Sequence, residues 1–412
     1  MTHDLVIANA RLVTCAGPAV RRGAAMGDLA IVERGHLVMD AGRVTSIETG
    51  GIPEAKATID AAGRVVMPGL VDCHTHACWA GDRLDEWEQR RRGVAYLDIL
   101  AKGGGIMSTV RSVRAASKQT LVQGILERAR QAGARGTTTL EVKSGYGLTL
   151  EAELAMLTAI REASSIAADR VRVLPTALLG HAIDPERADF IDEVVTRTLP
   201  AVSAAFPGIT IDAYCERGAW SPEAVGRLFK AAASLGHPRR LHADQFNDLG
   251  ALALAGSMGL RSVDHLEAST EPGLAALAAT WDHGHGCVGV GLPLCGMHMA
   301  DGRFAPLRRL IDMGGACAVA TNCNPGSAPS ISMPLALAMA VRHCGLTPQE
   351  AIIAGTVNAA HVLGLDDVGR LMPGLRADAI LLHHRDERAL VHDLDADHVA
   401  GVIFSGHVVP SV

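Results

Sequence analysis

The sequence predicts an α/β chain: a (β/α)8 barrel of TIM type, flanked by a small β-sandwich that both termini build together. Three observations predict it. Apolar, β-branched runs of four to seven residues alternate with longer Ala/Leu/Arg/Glu-rich stretches through the middle of the chain, the pattern of repeated βα units on a parallel sheet. Eight such runs occur, the number a barrel needs. The two ends of the chain carry only short β-rich runs, and neither is large enough for a core alone.

In chain order, residues 1–66 read as strands and turns: Asp4–Asn9, Ala30–Glu33, His36–Met39 and Arg43–Ile47 are the β-rich runs. The eight barrel strands are expected to end near His74, Glu141–Lys143, His181, Glu216, His242, His265, Pro293 and Asn322. Helices are expected over Lys118–Ala132, Leu150–Ala167, Arg187–Leu199, Ser221–Leu235, Leu249–Met258 and Pro348–Leu363. Beyond them Asp378–Leu382 and Val399–Phe404 are strands, with a turn at Ser405-Gly406-His407. The expected division is a composite β-sandwich of 1–66 and 373–412, and a barrel of 67–372, as suits a chain too long for one ordinary core.

Composition excludes several classes. Aromatic residues make up only 3% of the 412 residues and the net charge is −6, so neither base-stacking rings nor a basic footprint points to nucleic acid. No apolar run is long enough to span a bilayer. Nine Cys without regular spacing, behind a Met1-Thr-His-Asp start with neither a basic nor a long apolar segment, lead us to expect reduced thiols and a cytoplasmic chain.

The strongest chemical signal is Pro68-Gly-Leu-Val-Asp-Cys-His-Thr-His76. Strand side chains alternate with a period of two, so His74 and His76 point the same way from a strand end. Two imidazoles so placed make a two-point metal site; the alternative is two surface histidines. His242, in Leu241-His-Ala-Asp-Gln, adds a third nitrogen at the fifth strand end, with Asp244 and Gln245 following. His265 ends the sixth strand and Thr321-Asn322 the eighth. A satisfied core histidine explains one such position, and poorly explains several on one barrel face.

These runs, with Cys73–Arg83, Gly103–Arg111, Val142–Gly147, Asp264-His-Leu-Glu267 and Asn324-Pro-Gly326, resemble the imidazolonepropionase family of the amidohydrolase superfamily over nearly the whole chain. The resemblance implies hydrolytic opening of 4-imidazolone-5-propanoate, an intermediate of histidine degradation, to N-formimidoyl-glutamate, with one zinc or iron ion. It implies His74, His76 and His242 as metal ligands, His265 as the group that positions or deprotonates water, and Gln245 beside that water. Arg83, Tyr96, Tyr146 and His181, together with Asn324 and Gly326, would surround the ring and its propionate, for which a guanidinium fork is the natural partner. The alternative for Arg83 read alone, the less favoured one, is a solvated arginine in an acidic helix, and Arg90, Arg91 and Arg92 read as a solvated helix face. A homodimer is a further implication of the family.

The sequence departs from the family twice. The family's eighth strand ends in Thr-Asp, and that Asp binds the metal; here it is Asn322, a neutral, weak ligand that cannot act as a base. After the seventh strand the family's aromatic-rich stretch is replaced by Val290–Met299. Met297 and Met299 read as packing, while Cys295 and His298 are candidates to touch substrate or metal. Two further readings follow. One is a hydrolase that expels a C2 substituent, such as sulfide from a thiohydantoin-type propionate of the kind met in thio-histidine breakdown. The other is a non-catalytic relative that only binds the small molecule.

Overall fold

The computed structural model describes residues 2–94, 103–284, 286–300 and 302–410. Its centre is a sheet of eight parallel strands paired in strict sequence order. They are β6 (Leu70–Asp72), β7 (Thr137–Lys143), β8 (Arg172–Gly180), β9 (Thr210–Cys215), β10 (Arg239–Ala243), β11 (Ser262–His265), β12 (Val288–Gly291) and β13 (Cys317–Val319). Each ends within a few residues of the expected place. The ring is drawn shut just beyond the ends of β13 and β6. There Asn322 N donates to His74 O and His76 N to Cys323 O, both at 3.0 Å. Thr321 clamps the seam by donating its Oγ1 to Asp72 Oδ2 at 2.6 Å and its N to Asp72 Oδ1 at 3.1 Å. Burial pushes the Asp72 carboxyl up to about 7.

Three expected helices form nearly as read: Lys118–Ala134, Leu150–Ile166 and Pro222–Ser234. Each starts at a Ser or Thr whose hydroxyl accepts a backbone N–H of the first turn: Ser117, Thr149 and Ser221. Three differ. The run around Arg187–Leu199 becomes Phe190–Glu193, a π turn over Val194–Thr198, and Leu199–Ala205. Pro200 opens that last piece; it has no N–H to continue the i→i−4 ladder, and the wider turn ahead of it absorbs the break. Leu249–Met258 keeps only a 3-10 turn at Ala251–Leu254. It is bounded by Gly250 and Gly259, both with positive φ. Pro348–Leu363 splits into Pro348–Ala354 and Val357–Val362 at Gly355-Thr356.

The termini do fold together. β1 (His3–Val13), β2 (Ile31–Asp40), β3 (Arg43–Glu48), β4 (Ala55–Asp60), β5 (Val65–Pro68), β14 (Ala379–Leu382), β15 (Val399–Phe404) and β16 (His407–Val409) form one continuous, branched sheet. β5 joins the two ends by pairing antiparallel with β14. The two runs expected at 30–33 and 36–39 are a single strand, carried through Gly35. A Cβ there would lie 3.0 Å from Leu12 Cδ1, so glycine eases the close approach of β2 to β1. Strand alternation divides the labour. Val65, Met67, Ile380 and Leu382 face the barrel core. Their neighbours Val66, Ala379 and Leu381 join Leu5, Ile7, Leu37 and Ile403 in a separate core.

Asn358 fastens this unit to the barrel. Fully buried, it accepts from Arg21 N at 2.8 Å and donates Nδ2 to Arg21 O at 2.9 Å and to Cys317 O at 2.8 Å on the last barrel strand. Asn358→Ala strands those buried backbone groups and is expected to cost about 2–4 kcal/mol, read as a lower denaturation midpoint at unchanged m-value.

Candidate functional site

His74 and His76 stand two residues apart just past β6, and His242 lies within β10. Their Nε2 atoms converge: His74 and His242 each lie 3.3 Å from His76 Nε2. His74 Nδ1 is 2.6 Å from Asp264 Oδ2 and His242 Nδ1 is 3.1 Å from Asp212 Oδ1. Each carboxylate holds a proton on Nδ1 and leaves the Nε2 lone pair facing inward. Burial holds all three imidazoles below their usual pKa, so they are neutral. A proton on His76 Nε2 can satisfy only one neighbour. A cation at their common point satisfies all three, and the trio therefore fits a metal.

Beneath them runs a line of buried charge. Lys143 Nζ bridges Asp212 Oδ2 at 2.8 Å and Glu141 Oε1 at 2.9 Å. Arg240 bridges Glu141 Oε1 and Asp264 Oδ2, both at 2.6 Å. The result is a continuous path His242–Asp212–Lys143–Glu141–Arg240–Asp264–His74, with every charged side chain at most 1% exposed. Three carboxylates meet two cations in that path, which leaves one negative charge below the site that the histidines surround.

A cavity of about 420 Å³ opens above, and His76, His242, His265, Gln245 and Asn322 reach its wall. His265 Nδ1 is 3.2 Å from both Glu267 carboxylate oxygens, which leaves Nε2 as its acceptor. Tyr214 donates to Gln245 Oε1 at 2.8 Å, and Gln245 Nε2 donates to Cys295 Sγ at 3.4 Å; the two contacts orient the amide. Asp244, His265, Leu266 and Asn322 all have φ between 57° and 89°. Left-handed backbone at non-glycine residues costs energy and clusters where side chains are aimed for function. Asn322 Oδ1 is buried with no hydrogen-bond partner among the described residues.

The substrate-side expectations sort into three groups. Arg83, Tyr146, His181, Asn324 and Gly326 line the same cavity. Arg83 pairs with Glu86, so the solvated reading is corrected. A Cβ on Gly326 would sit 3.0 Å from Arg83 Nη1, so glycine there makes room for the guanidinium. His181 Nδ1 bonds Gly145 O at 2.9 Å and its ring stacks on His76 at 5.1 Å; burial takes its pKa down to about 3. Tyr96 lies outside the described residues. Cys295 and His298 do not line the cavity. Cys295 stands behind Gln245, and His298 is half-buried. Met299, read as packing, reaches the cavity, and Met297 is 42% exposed.

Sequence reasoning missed Arg90, which lines the cavity while Arg91 and Arg92 are exposed. It also missed Asp212, Arg240 and Tyr214. The signal that could have found them was polar residues at alternate positions inside strands, as in Asp212-Ala-Tyr214 and Arg240-Leu-His242.

The amidohydrolase family description matches residues 283–409. An imidazolonepropionase of Chloroflexus aggregans is 45% identical over 98% of both chains. One of Deinococcus radiodurans is 44% identical over 94% of this chain and 95% of its own. Among solved structures, 5-methylcytosine deaminase of Klebsiella pneumoniae superposes with a TM-score of 0.77 at 18% identity, over 99% of this chain and 98% of its own; at that identity the likeness speaks for the fold. Extended over nearly the full length at such identities, the match makes the chain a member of the imidazolonepropionase family, within the metal-dependent amidohydrolases.

Proposed function

We propose that this chain hydrolyses 4-imidazolone-5-propanoate to N-formimidoyl-glutamate. The observation that carries the reading is that one cavity is walled by His76 and His242 of the converging trio, by His265, and by the Arg83 guanidinium. The metal, zinc or iron, would be held by His74, His76 and His242, with Asn322 Oδ1 as a weaker fourth contact. When bound, it supplies Lewis acidity that makes water a nucleophile near neutral pH. The family's relatives carry the name imidazolonepropionase, which supports the substrate.

The remaining work falls to the chain's own groups. His265, steadied by Glu267, accepts the water proton at Nε2 and returns it to the ring nitrogen that leaves as the C–N bond breaks. Gln245, oriented by Tyr214 and Cys295, is neutral; it orients water but takes no proton. Arg83 holds the propionate, and the stacked His181 and buried Tyr146 frame the ring. The barrel of 67–372 is the catalytic unit in this reading, with 1–66 and 373–412 as its appendage. No helix among the described residues is long and apolar enough to cross a membrane, and the nine cysteines are buried and form no disulfide among the described residues. Both fit the cytoplasmic enzyme we propose. A homodimer is part of the same proposal.

Purified, metal-replete protein should consume imidazolone propionate and release N-formimidoyl-glutamate. Inertness toward it, with sulfide release from a 2-thioxo analogue, would overturn the reading. Stripping the metal with a chelator should abolish turnover and lower the melting temperature, with zinc or iron restoring both. His265→Ala should lower kcat by about 10²–10⁴-fold and leave metal content unchanged. Asn322→Asp places a carboxylate where an amide stood. It should tighten metal binding by about tenfold or more and raise turnover; a drop in turnover would mean that the amide serves the reaction.

A further inference from the structure

The helix Leu84–Arg91 presents one face to the cavity. Arg83, Glu86, Trp87 and Arg90 line it, at the i, i+3, i+4, i+7 spacing of a single helical stripe. Their charges are not equivalent. Arg83 is paired with Glu86, whose carboxylate also accepts Gly105 N at 3.1 Å through both oxygens. Arg83 retains a buried Nε without a partner among the described residues, so it keeps a donor for a ligand but brings almost no net charge. Arg90 is different. Its recorded contact is Nη2 to Met299 Sδ at 3.1 Å, a weak acceptor. It has no carboxylate partner among the described residues, whereas Arg92 on the outer face pairs with Glu88. Among the described cavity-lining side chains that carry full charge, two arginines meet one glutamate. Among the described residues the wall therefore holds one uncompensated positive charge, and it belongs to Arg90.

We propose that Arg90 is the specificity-determining residue for a monoanionic, carboxylate-tailed ligand, with Arg83 acting as a pre-paired fork that orients the tail. This rests on the proposed substrate class and adds to it a second guanidinium and a division of roles. A half-buried guanidinium facing a cavity binds a carboxylate through charge-assisted hydrogen bonds. An uncharged isostere of that carboxylate gives back much of that interaction. Because the tail lies away from the bond that breaks, the contribution is the same in ground and transition states and shows in KM, with kcat little changed.

The test compares two unreactive ligands, 3-(imidazol-4-yl)propanoate and 3-(imidazol-4-yl)propanamide, titrated calorimetrically into the metal-loaded protein. Wild type should favour the acid by about tenfold to a hundredfold. Arg90→Met and Arg90→Gln should bring that ratio to near one, Arg90→Lys should keep most of it, and the exposed Arg91→Met should leave it unchanged. With imidazolone propionate, Arg90→Gln should raise KM by a similar factor while kcat holds. An acid-over-amide preference that survives both neutral substitutions, or that wild type never shows, overturns the assignment. Binding needs no turnover, so failure of the proposed reaction would appear separately, as wild type that discriminates the tails but does not open the ring.

Discussion

The constraint on which the site depends is the buried path of charge from Asp212 to Asp264 through Lys143, Glu141 and Arg240. Each end of the path holds Nδ1 of one candidate metal ligand. An imidazole on a strand end can rotate and can carry its proton on either nitrogen. The carboxylates remove both freedoms, and the two cations hold the carboxylates in turn. Arg240 also donates to Cys73 O at 2.7 Å and to Ser262 Oγ at 2.8 Å, which ties the floor of the site to the first and sixth barrel strands. Buried ion pairs of this kind are poor sources of net stability. Their value here lies in geometry, and the odd negative charge in the path is complemented by a cation held above it.

The barrel supplies what the path needs. Strand alternation places Asp212 and Tyr214 on one side of β9, and Arg240 and His242 on one side of β10. The lower member of each pair enters the charge path, and the upper reaches the cavity. Closure between β13 and β6 brings the chain around Asn322 against His74 and His76 through two backbone hydrogen bonds. The eighth strand end, 248 residues later in the chain, thereby becomes a wall of the same site. The positive-φ backbone at Asp244, His265 and Asn322 turns the chain sharply where strands become loops. The rigid sheet below sustains that strain.

Much of this was legible in the sequence because it follows from short-range periodicity. His74 and His76 share a face by the two-residue repeat of a strand, whatever surrounds them. The eight strand ends were readable because parallel, two-sided burial writes continuous apolar runs. The helices that failed did so for local reasons that a periodic pattern hides: Pro200 broke one, and Gly355-Thr356 another. The helical stripe of Arg83, Glu86, Trp87 and Arg90 was also periodic. It escaped because three consecutive arginines look like a solvated face, and only the position of the helix shows which one turns inward.

The sequence by itself determined the fold class, the His-x-His pair, the succession of polar strand ends, and the substitution of Asn322 for the family's aspartate. These are properties of residue type and spacing, which survive translation into three dimensions without long-range information. Only the tertiary structure decided which carboxylate holds which imidazole, that Cys295 backs Gln245, and that Arg83 is neutralised by Glu86 while Arg90 is not. Those outcomes depend on distances between residues tens or hundreds of positions apart. Hydrogen bonds are lost within an ångström or so of their ideal length and Coulombic terms depend on separation in space, so no spacing along the chain can stand in for them. The pair His74 and His76 is visible from the chain alone. The cage that makes the pair a ligand set is a product of the closed barrel.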